Sequence, residues 1–478
     1  MIEIERGFRQ GDLLNVQIEG LDRDGVGTAR LRVHLKPQKE DRSYTVRVPQ
    51  SVPGDELAVE VTSVRRRDVF AKINAIQTPS ALRVKPPCQH ILETPPCGGC
   101  TLQMVDYRHQ LMLKERGIKE AMSRHGIDPG LVLPPRPSPH EWRYRNKMEF
   151  SFSPGPNPQI GLRPAGYKFD VVDQKTCLLF GEWAMGVLEL VKGWAAQHGF
   201  EGYHFKRGTG HLRALMVREG KRSGQRLVEL MAASPRDKND GMEEAFEALA
   251  HKLVHEHGVD GAHLSEHFVQ RGSPSVVTPL IQVGQLTFRD SMRIEGPSTM
   301  RELEFDVGPR DFFQPNPAQA EKIYSHVVGM VQKYSSVLDL YCGTGTIGLA
   351  MAPFVDRVRG IELVPTAIEN ARKNAELNGI ENAEFMAGDV AEILPQLDTS
   401  DVECIVVDPP RAGLHPDALR LIDFSQARAL VYVSCNPDSL GRDLKVLSRG
   451  WSIGDIQPFD MFPHTNHVEN VVLCTRGG

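Results

Sequence analysis

From Pro317 onward the chain repeats one unit, a short apolar run followed by a helical segment. The runs are SVLDL, RVRGIEL, AEFMA, VECIVVD and RALVYVS, and segments such as PTAIENARKNAELNG separate them. Strands that alternate with helices build a parallel, doubly wound sheet covered on both faces. Ligands of such sheets bind outside the carboxyl ends of the strands. That rule singles out a small set of positions before any chemistry is considered. At the first strand-to-helix junction, VLDLYCGTGTIGLAMA spaces Gly343, Gly345 and Gly348 as G-x-G-x-x-G. The spacing suits a ligand phosphate or sugar approaching the backbone, a dinucleotide included, and it also suits tight strand–helix packing alone.

The strand ends carry acids. Asp339 stands just before the glycines, where a carboxylate can meet a cationic amino acid moiety. Glu362 ends the second strand 19 residues after Gly343, Asp389 follows the third, and Asp408 ends the fourth. Glu362 is placed for ribose hydroxyls and Asp389 for an adenine amino group. This set favours S-adenosylmethionine over a dinucleotide.

The fifth strand runs VYVSCNPDSLGRDL, so Cys435 lies at the same edge. A thiol there can be an inert small hydrophobe, a metal ligand or a nucleophile. Beside a methyl sulfonium the third reading has a purpose. Uracil C5 is too weak a nucleophile to be methylated unaided, and thiolate addition at C6 places charge on C5. The C5 proton must then leave before the thiol does, which requires a base. DMFPHTNHVENVVLCT offers Glu469 at the start of the last strand. His464 and His467 in that stretch also resemble an H-x-x-H metal pair, with little acidic support around them. Cys404 and Cys474 lie within apolar runs and read as core, and Cys342 in the glycine loop reads as packing.

FFQPNP, DLYCGTGTIGL, DPPRAGL, SCNPDSLGRD and DMFPHTNHVE, in that order, resemble successive signatures of the RNA 5-methyluridine (uracil-C5) methyltransferases. The likeness covers nearly the whole chain. It implies a class I, Rossmann-like S-adenosylmethionine-dependent sheet with an antiparallel last strand. It also implies Cys435 as nucleophile, Glu469 as the base at C5, and Gln314, Tyr341, Thr346, Glu362, Asp389 and Asp408 as cofactor-binding residues.

The first 76 residues read differently. Leu14, Val16 and Ile18 alternate with polar residues, as do Tyr44, Val46 and Val48, and Leu57, Val59 and Val61. Turn signals DRDGVG and VPGDE lie between them, which suggests a small barrel. It resembles the OB-like, RNA-binding TRAM domain. Net charge is only −5 overall, yet Arg65, Arg66, Arg67, Lys72, Arg83 and Lys85 stand against Asp68 alone in one stretch. Such a patch suits a phosphate-bearing partner, as it does an ordinary solvated surface. EWRYRNKMEFSF interleaves Arg143, Arg145 and Lys147 with Trp142, Tyr144 and Phe150, and reads equally as an RNA surface or an amphipathic strand.

CQHILETPPCGGC supplies Cys88, Cys97 and Cys100. No signal-peptide core precedes them and no ~18-residue apolar run occurs anywhere. The expected location is the cytoplasm, away from membranes, where clustered thiols bind metal rather than pair. The resemblance implies a [4Fe–4S] cluster with Cys177 as fourth ligand; zinc uses the same donor set. The gap from Cys88 to Cys97 is longer than the family usually shows.

The expected organisation is therefore α/β with three parts: a TRAM-like barrel over 1–78, an α+β central domain with the cysteine cluster and an RNA-contacting surface over 79–310, and the methyltransferase domain over 311–478. The partner is RNA, with 23S ribosomal RNA favoured and transfer RNA open, and no obligate protein partner is evident. RNA 5-methylcytidine enzymes carry a second cysteine where this chain has Pro409, Pro410 and Arg411. An amino-group methyltransferase would leave Cys435 and Glu469 without a use. A non-catalytic RNA-binding assembly factor would have no need of an intact nucleophile, base and cofactor set.

Overall fold

The computed structural model describes residues 2–4, 6–36, 40–164, 170–234, 240–269 and 275–476. Among the described residues the chain forms three seven-stranded sheets and a two-stranded hairpin. In the first sheet the strands Leu13–Gln17, Gly27–Leu35, Glu40–Val48, Glu56–Arg65 and Asp68–Thr78 do most of the pairing. Alternation works as the sequence suggested: Val16, Ile18, Tyr44, Val46, Val48, Leu57, Val59 and Val61 point into one core, while Leu14 is only half-buried. Arg65, Arg66 and Arg67 lie exposed at the turn between the last two strands.

The second sheet is mixed. Leu212–Glu219 and Arg226–Ser234 are antiparallel to each other, and Arg226–Ser234 runs parallel to Gly261–Phe268. The helices Trp183–His198 and Met242–Glu256 share its main core, giving the α+β arrangement. The hairpin Phe288–Glu295/Met300–Val307 buries Phe288, Met292, Leu303 and Phe305 in the core of the third sheet.

In that third sheet we number the strands β1 (Ser336–Leu340), β2 (Arg357–Glu362), β3 (Ala383–Ala387), β4 (Cys404–Val407), β5 (Ala429–Ser434), β6 (Ser452–Phe459) and β7 (Glu469–Thr475). Their order is β3-β2-β1-β4-β5-β7-β6. The first five are parallel, and β7 inserts antiparallel between β5 and β6. Helices after the strand ends start with proline at the first turn (Pro365, Pro416, Pro437), where a missing N–H costs nothing. One consequence of this topology matters most. The β5–β7 register pairs Ser434 with Asn470, so the next pair toward the ligand edge is Cys435 and Glu469.

The helix Tyr107–Arg124 belongs to the front half of the chain, yet Ile118, Ala121 and Met122 enter the core of the third sheet. Its Lys114 donates to Asp460 at 2.5 Å with both side chains fully buried. No helix among the described residues is long and apolar enough to cross a membrane.

Candidate active site

A cavity of about 930 Å³ opens at the carboxyl edge of the third sheet. Gln314, Tyr341, Thr346, Glu362, Asp389, Asp408, Cys435 and Glu469 all line it, so the structure gathers these cofactor and catalytic candidates, Asp339 excepted, at one place. Backbone geometry shapes the wall. Tyr341, immediately after β1, lies in the left-handed region (φ 63°), a conformation that few non-glycine residues adopt. Gly343 (φ 56°) has nothing within 4 Å of where a Cβ would stand, leaving room for a ligand. Gly345 and Gly348 are instead packing glycines. A Cβ on Gly345 would lie 2.9 Å from Phe385, and one on Gly348 would lie 3.0 Å from the Asp339 carboxylate.

Each cofactor candidate has a local anchor. Glu362 accepts from Gly343 N–H at 3.2 Å and Val364 N–H at 2.9 Å, which fixes its carboxylate under the glycine turn. Asp389 accepts from Ala391 N–H at 2.7 Å and so caps the helix Val390–Ile393. The Thr346 hydroxyl meets the Tyr324 hydroxyl at 3.1 Å. Asn146 donates to the Gln314 carbonyl at 2.9 Å, tying the central domain to the wall. Asp339 departs from its expected role. Fully buried behind the glycine turn, it is absent from the cavity wall, and neither carboxylate oxygen has a hydrogen-bond partner among the described residues. Position at a strand end does not say on which side of the turn the side chain lies.

Burial pushes Asp408 up to about 7, and burial together with Asp408 and Glu362 raises Asp339 well above its usual value. Glu469 is raised by burial and by Asp408, with Arg411 opposing. The Cys435 thiol is pushed up to about 12 by burial and then by Glu469 and Asp408, with Arg411 pulling the other way.

Cys435 also lines a second cavity, of about 640 Å³, between the barrel residues Asp22–Asp24 and the helix Tyr107–Arg124. The thiol therefore stands where a cofactor-sized space meets an opening toward the barrel. Around it the chain is fastened. Asn436 caps the following helix and donates to the Arg411 carbonyl at 2.8 Å, and Asn470 donates to the Ser434 carbonyl at 3.1 Å.

His464 and His467 do not form a metal pair. His464 is buried, stacked on Trp142 at 3.6 Å, and its Nδ1 lies 3.0 Å from Gln110 Nε2. His467 borders both cavities and faces Arg411. Trp142 and Tyr144 are thus packed inward, whereas Arg145 and Lys147 line a third cavity of about 440 Å³ beside His467. Cys404 and Cys474 are buried within β4 and β7, as read from their apolar surroundings. Arg411 and Asn466 escaped the sequence reading as contributors. The DPPR stretch carried a signal for Arg411, a cation three residues after a strand-end acid.

Cys88, Cys97, Cys100 and Cys177 are all buried and free. They share one neighbourhood: Cys177 and Cys88 act on the Cys97 thiol, and Cys177 and Cys97 on Cys100. His90 ties the two segments together, its Nε2 accepting from the Lys175 and Thr176 N–H groups at 3.0 and 3.3 Å. Among the described residues, however, no group of three or more His, Cys, Asp or Glu side chains is arranged to hold a metal ion. The expected ligand shell is therefore not formed among the described residues.

Comparison with known proteins gives a consistent set of likenesses. The tRNA (uracil-5-)-methyltransferase family profile matches residues 280–477, and the TRAM domain profile matches residues 7–73. An uncharacterized RNA methyltransferase of Caldanaerobacter subterraneus is 34% identical over 98% of this chain and 99% of its own. One from Clostridium tetani is 34% identical over the same shares. The crystal structure of Pyrococcus abyssi tRNA (uracil-54, C5)-methyltransferase in complex with S-adenosyl-L-homocysteine superposes with a TM-score of 0.73 at 28% identity, covering 97% of this chain and 100% of that one.

Proposed function

Because this chain belongs to the RNA (uracil-5-)-methyltransferase family, we propose that it methylates C5 of one uridine in a structured RNA, with Cys435 as nucleophile and Glu469 as base. The observation that carries this reading is the register of β5 and β7, which sets thiol and carboxylate side by side on the cofactor cavity. S-adenosylmethionine fits that cavity: Gly343 leaves open space and Glu362, Asp389 and Asp408 offer acceptors around it. When bound, it supplies the methyl group.

The chain's own residues do the rest. Cys435 sulfur adds to C6 of the uracil, and the ring's electron pair moves to C5, which acquires the methyl group. Glu469 then takes the C5 proton, the C5–C6 double bond re-forms, and the thiolate leaves. Arg411 opposes the rise in both the Cys435 and Glu469 pKa, so it helps hold each in its reactive, anionic form. A uridine in folded RNA has to be splayed out to reach the thiol.

The test is a pair of variants. Cys435→Ala abolishes 5-methyluridine formation while RNA still binds. Glu469→Gln leaves the proton on C5 and so accumulates a covalent enzyme–RNA adduct, seen as a slow band on a denaturing gel that Cys435→Ala/Glu469→Gln lacks. Failure to trap any adduct would remove the base role.

We favour ribosomal RNA of the large subunit as substrate, on the resemblance to enzymes with a cysteine cluster. The second reading, transfer RNA, is favoured by the substrate of the Pyrococcus abyssi enzyme. Nucleoside analysis after incubation with each purified RNA separates them. We further propose that the four cysteines hold a [4Fe–4S] cluster, on the strength of four buried thiols in one neighbourhood. The work is divided among a barrel (1–78), a central domain (79–310) and a catalytic domain (311–478), in the cytoplasm where RNA is modified.

A further inference from the structure

The cavity beside His467 is continuous in its lining with a cluster of aromatic and guanidinium groups on the central domain. Arg145, Lys147 and Arg163 line it against Asp24 and Glu149, so its charge is net basic. Arg163 also reaches past the rim: its guanidinium carbon lies 6.0 Å from the centre of the Phe205 ring. Phe205 is 47% exposed, so much of its ring is open to solvent. Tyr203 meets it edge-on at 5.2 Å. Arg213 lies over both rings, 4.1 Å from Tyr203 and 5.0 Å from Phe205.

The turn that carries the two rings is built by the backbone. Tyr203 N–H donates to Leu212 at 2.8 Å, His204 N–H to Thr209 at 2.7 Å, and Gly155 and Gly202 exchange hydrogen bonds at 2.9 Å. No room exists for a side chain at Gly210, where a Cβ would stand 2.4 Å from the Gly202 carbonyl oxygen. Arg213 is itself 7% exposed, and two of its nitrogens, Nε and Nη1, have no hydrogen-bond partner among the described residues. An exposed ring backed by a buried guanidinium, with the exposed Arg163 beside it, matches the chemistry of a nucleotide: a base to stack and a phosphate to receive N–H groups.

We propose that Tyr203, Phe205, Arg163 and Arg213 form a platform on which an unpaired nucleotide flanking the target uridine stacks, its strand running through the cavity lined by Lys147 and His467. The proposal rests on RNA being the substrate and assigns this face the reading of single-stranded context. Base–aromatic stacking tolerates any base, so the platform selects for an unpaired strand rather than a sequence.

The experiment compares two RNAs that share the target uridine, one with and one without unpaired flanking nucleotides, by fluorescence anisotropy. Phe205→Ala is exposed and should fold; it weakens binding of the flanked RNA on the order of tenfold, as expected for one lost stacked base. Phe205→Trp restores it. The short RNA binds wild type and Phe205→Ala alike. Equal binding of the flanked RNA by wild type and Phe205→Ala overturns the platform, as does the same loss on both RNAs. Should wild type yield no 5-methyluridine while Phe205 still governs binding of the flanked RNA, the methylation reading falls and the platform stands.

Discussion

Asp339 and Glu469 are buried and Asp408 half-buried in one region, and each carboxyl group is pushed toward its protonated form. For Asp408 the folded value is about 7 against an ordinary 3.8. Between those values the folded protein holds a proton that the unfolded chain has released, so stability from this group is greatest at low pH and is lost as pH rises toward 7. A cation in the cavity reverses that loss by facing the carboxylate once the proton has gone. The affinity for S-adenosylmethionine should therefore tighten from pH 5.5 to 7.5 and level off above. S-adenosylhomocysteine, which lacks the sulfonium charge, should show a shallower dependence. Isothermal titration at several pH values measures both, and parallel curves would show that no carboxylate is answering the sulfonium. The same residues show what a linear sequence can tell. Glu362, Asp389 and Asp408 were legible because a parallel sheet brings every strand end to one edge. Asp339 obeyed that rule in position and broke it in direction, since the left-handed Tyr341 and the packed Gly348 leave it behind the turn.

The segment between β6 and β7 shows how elements far apart in sequence build one site. Asn466 donates to the Asp22 and Arg23 carbonyls of the barrel at 3.3 and 3.2 Å, across separations of 444 and 443 positions. Thr101 and Leu102 N–H donate to the His464 carbonyl at 2.9 and 3.0 Å. Gly25 closes the joint, because a Cβ there would stand 2.7 Å from the Thr101 hydroxyl. The stretch that carries Glu469 is thus clamped by both the barrel and the cysteine-bearing loop. Sequence patterning made β7 and Glu469 visible, yet Asn466 and Gln110 gave no signal, and the EWRYRNKMEFSF alternation that included Trp142 did not show it stacking on His464, since their partners lie in other domains and no local period encodes them. Asn466→Ala removes two neutral hydrogen bonds, each worth about 1 kcal/mol. It should lower kcat for methyl transfer several-fold or more, leaving the Kd for S-adenosylhomocysteine at its wild-type value. Asn466→Asp, which keeps the size and loses the donor, should behave like alanine. Wild-type kcat in both variants would leave the clamp without a role in positioning Glu469.

At the scale of the whole molecule, the three sheets converge on His467, which borders all three cavities. The cysteine pocket supports that junction from behind: Cys97 N–H donates to the His90 carbonyl at 2.9 Å, and the next residues after Cys100 hold His464. Burial raises each of the four thiols, so each favours its neutral form, and ligation would have to draw out the thiolates that burial disfavours. A bound iron–sulfur cluster would supply the positive charge that settles them. Its removal should then act on stability first. Anaerobically purified wild type is expected to contain iron and sulfide and to melt well above the chelator-treated protein; a loss of about 2 kcal/mol corresponds to a fall of roughly 4–8 °C. Cys97→Ser and Cys100→Ser should lose the iron and melt near the chelated form, and chelation should shift neither variant further. Zinc in place of iron would keep the structural role and change the cofactor. Metal-free wild type that melts with the loaded protein would make the four cysteines ordinary core, and the Thr101–His464 contact would then owe its geometry to packing alone.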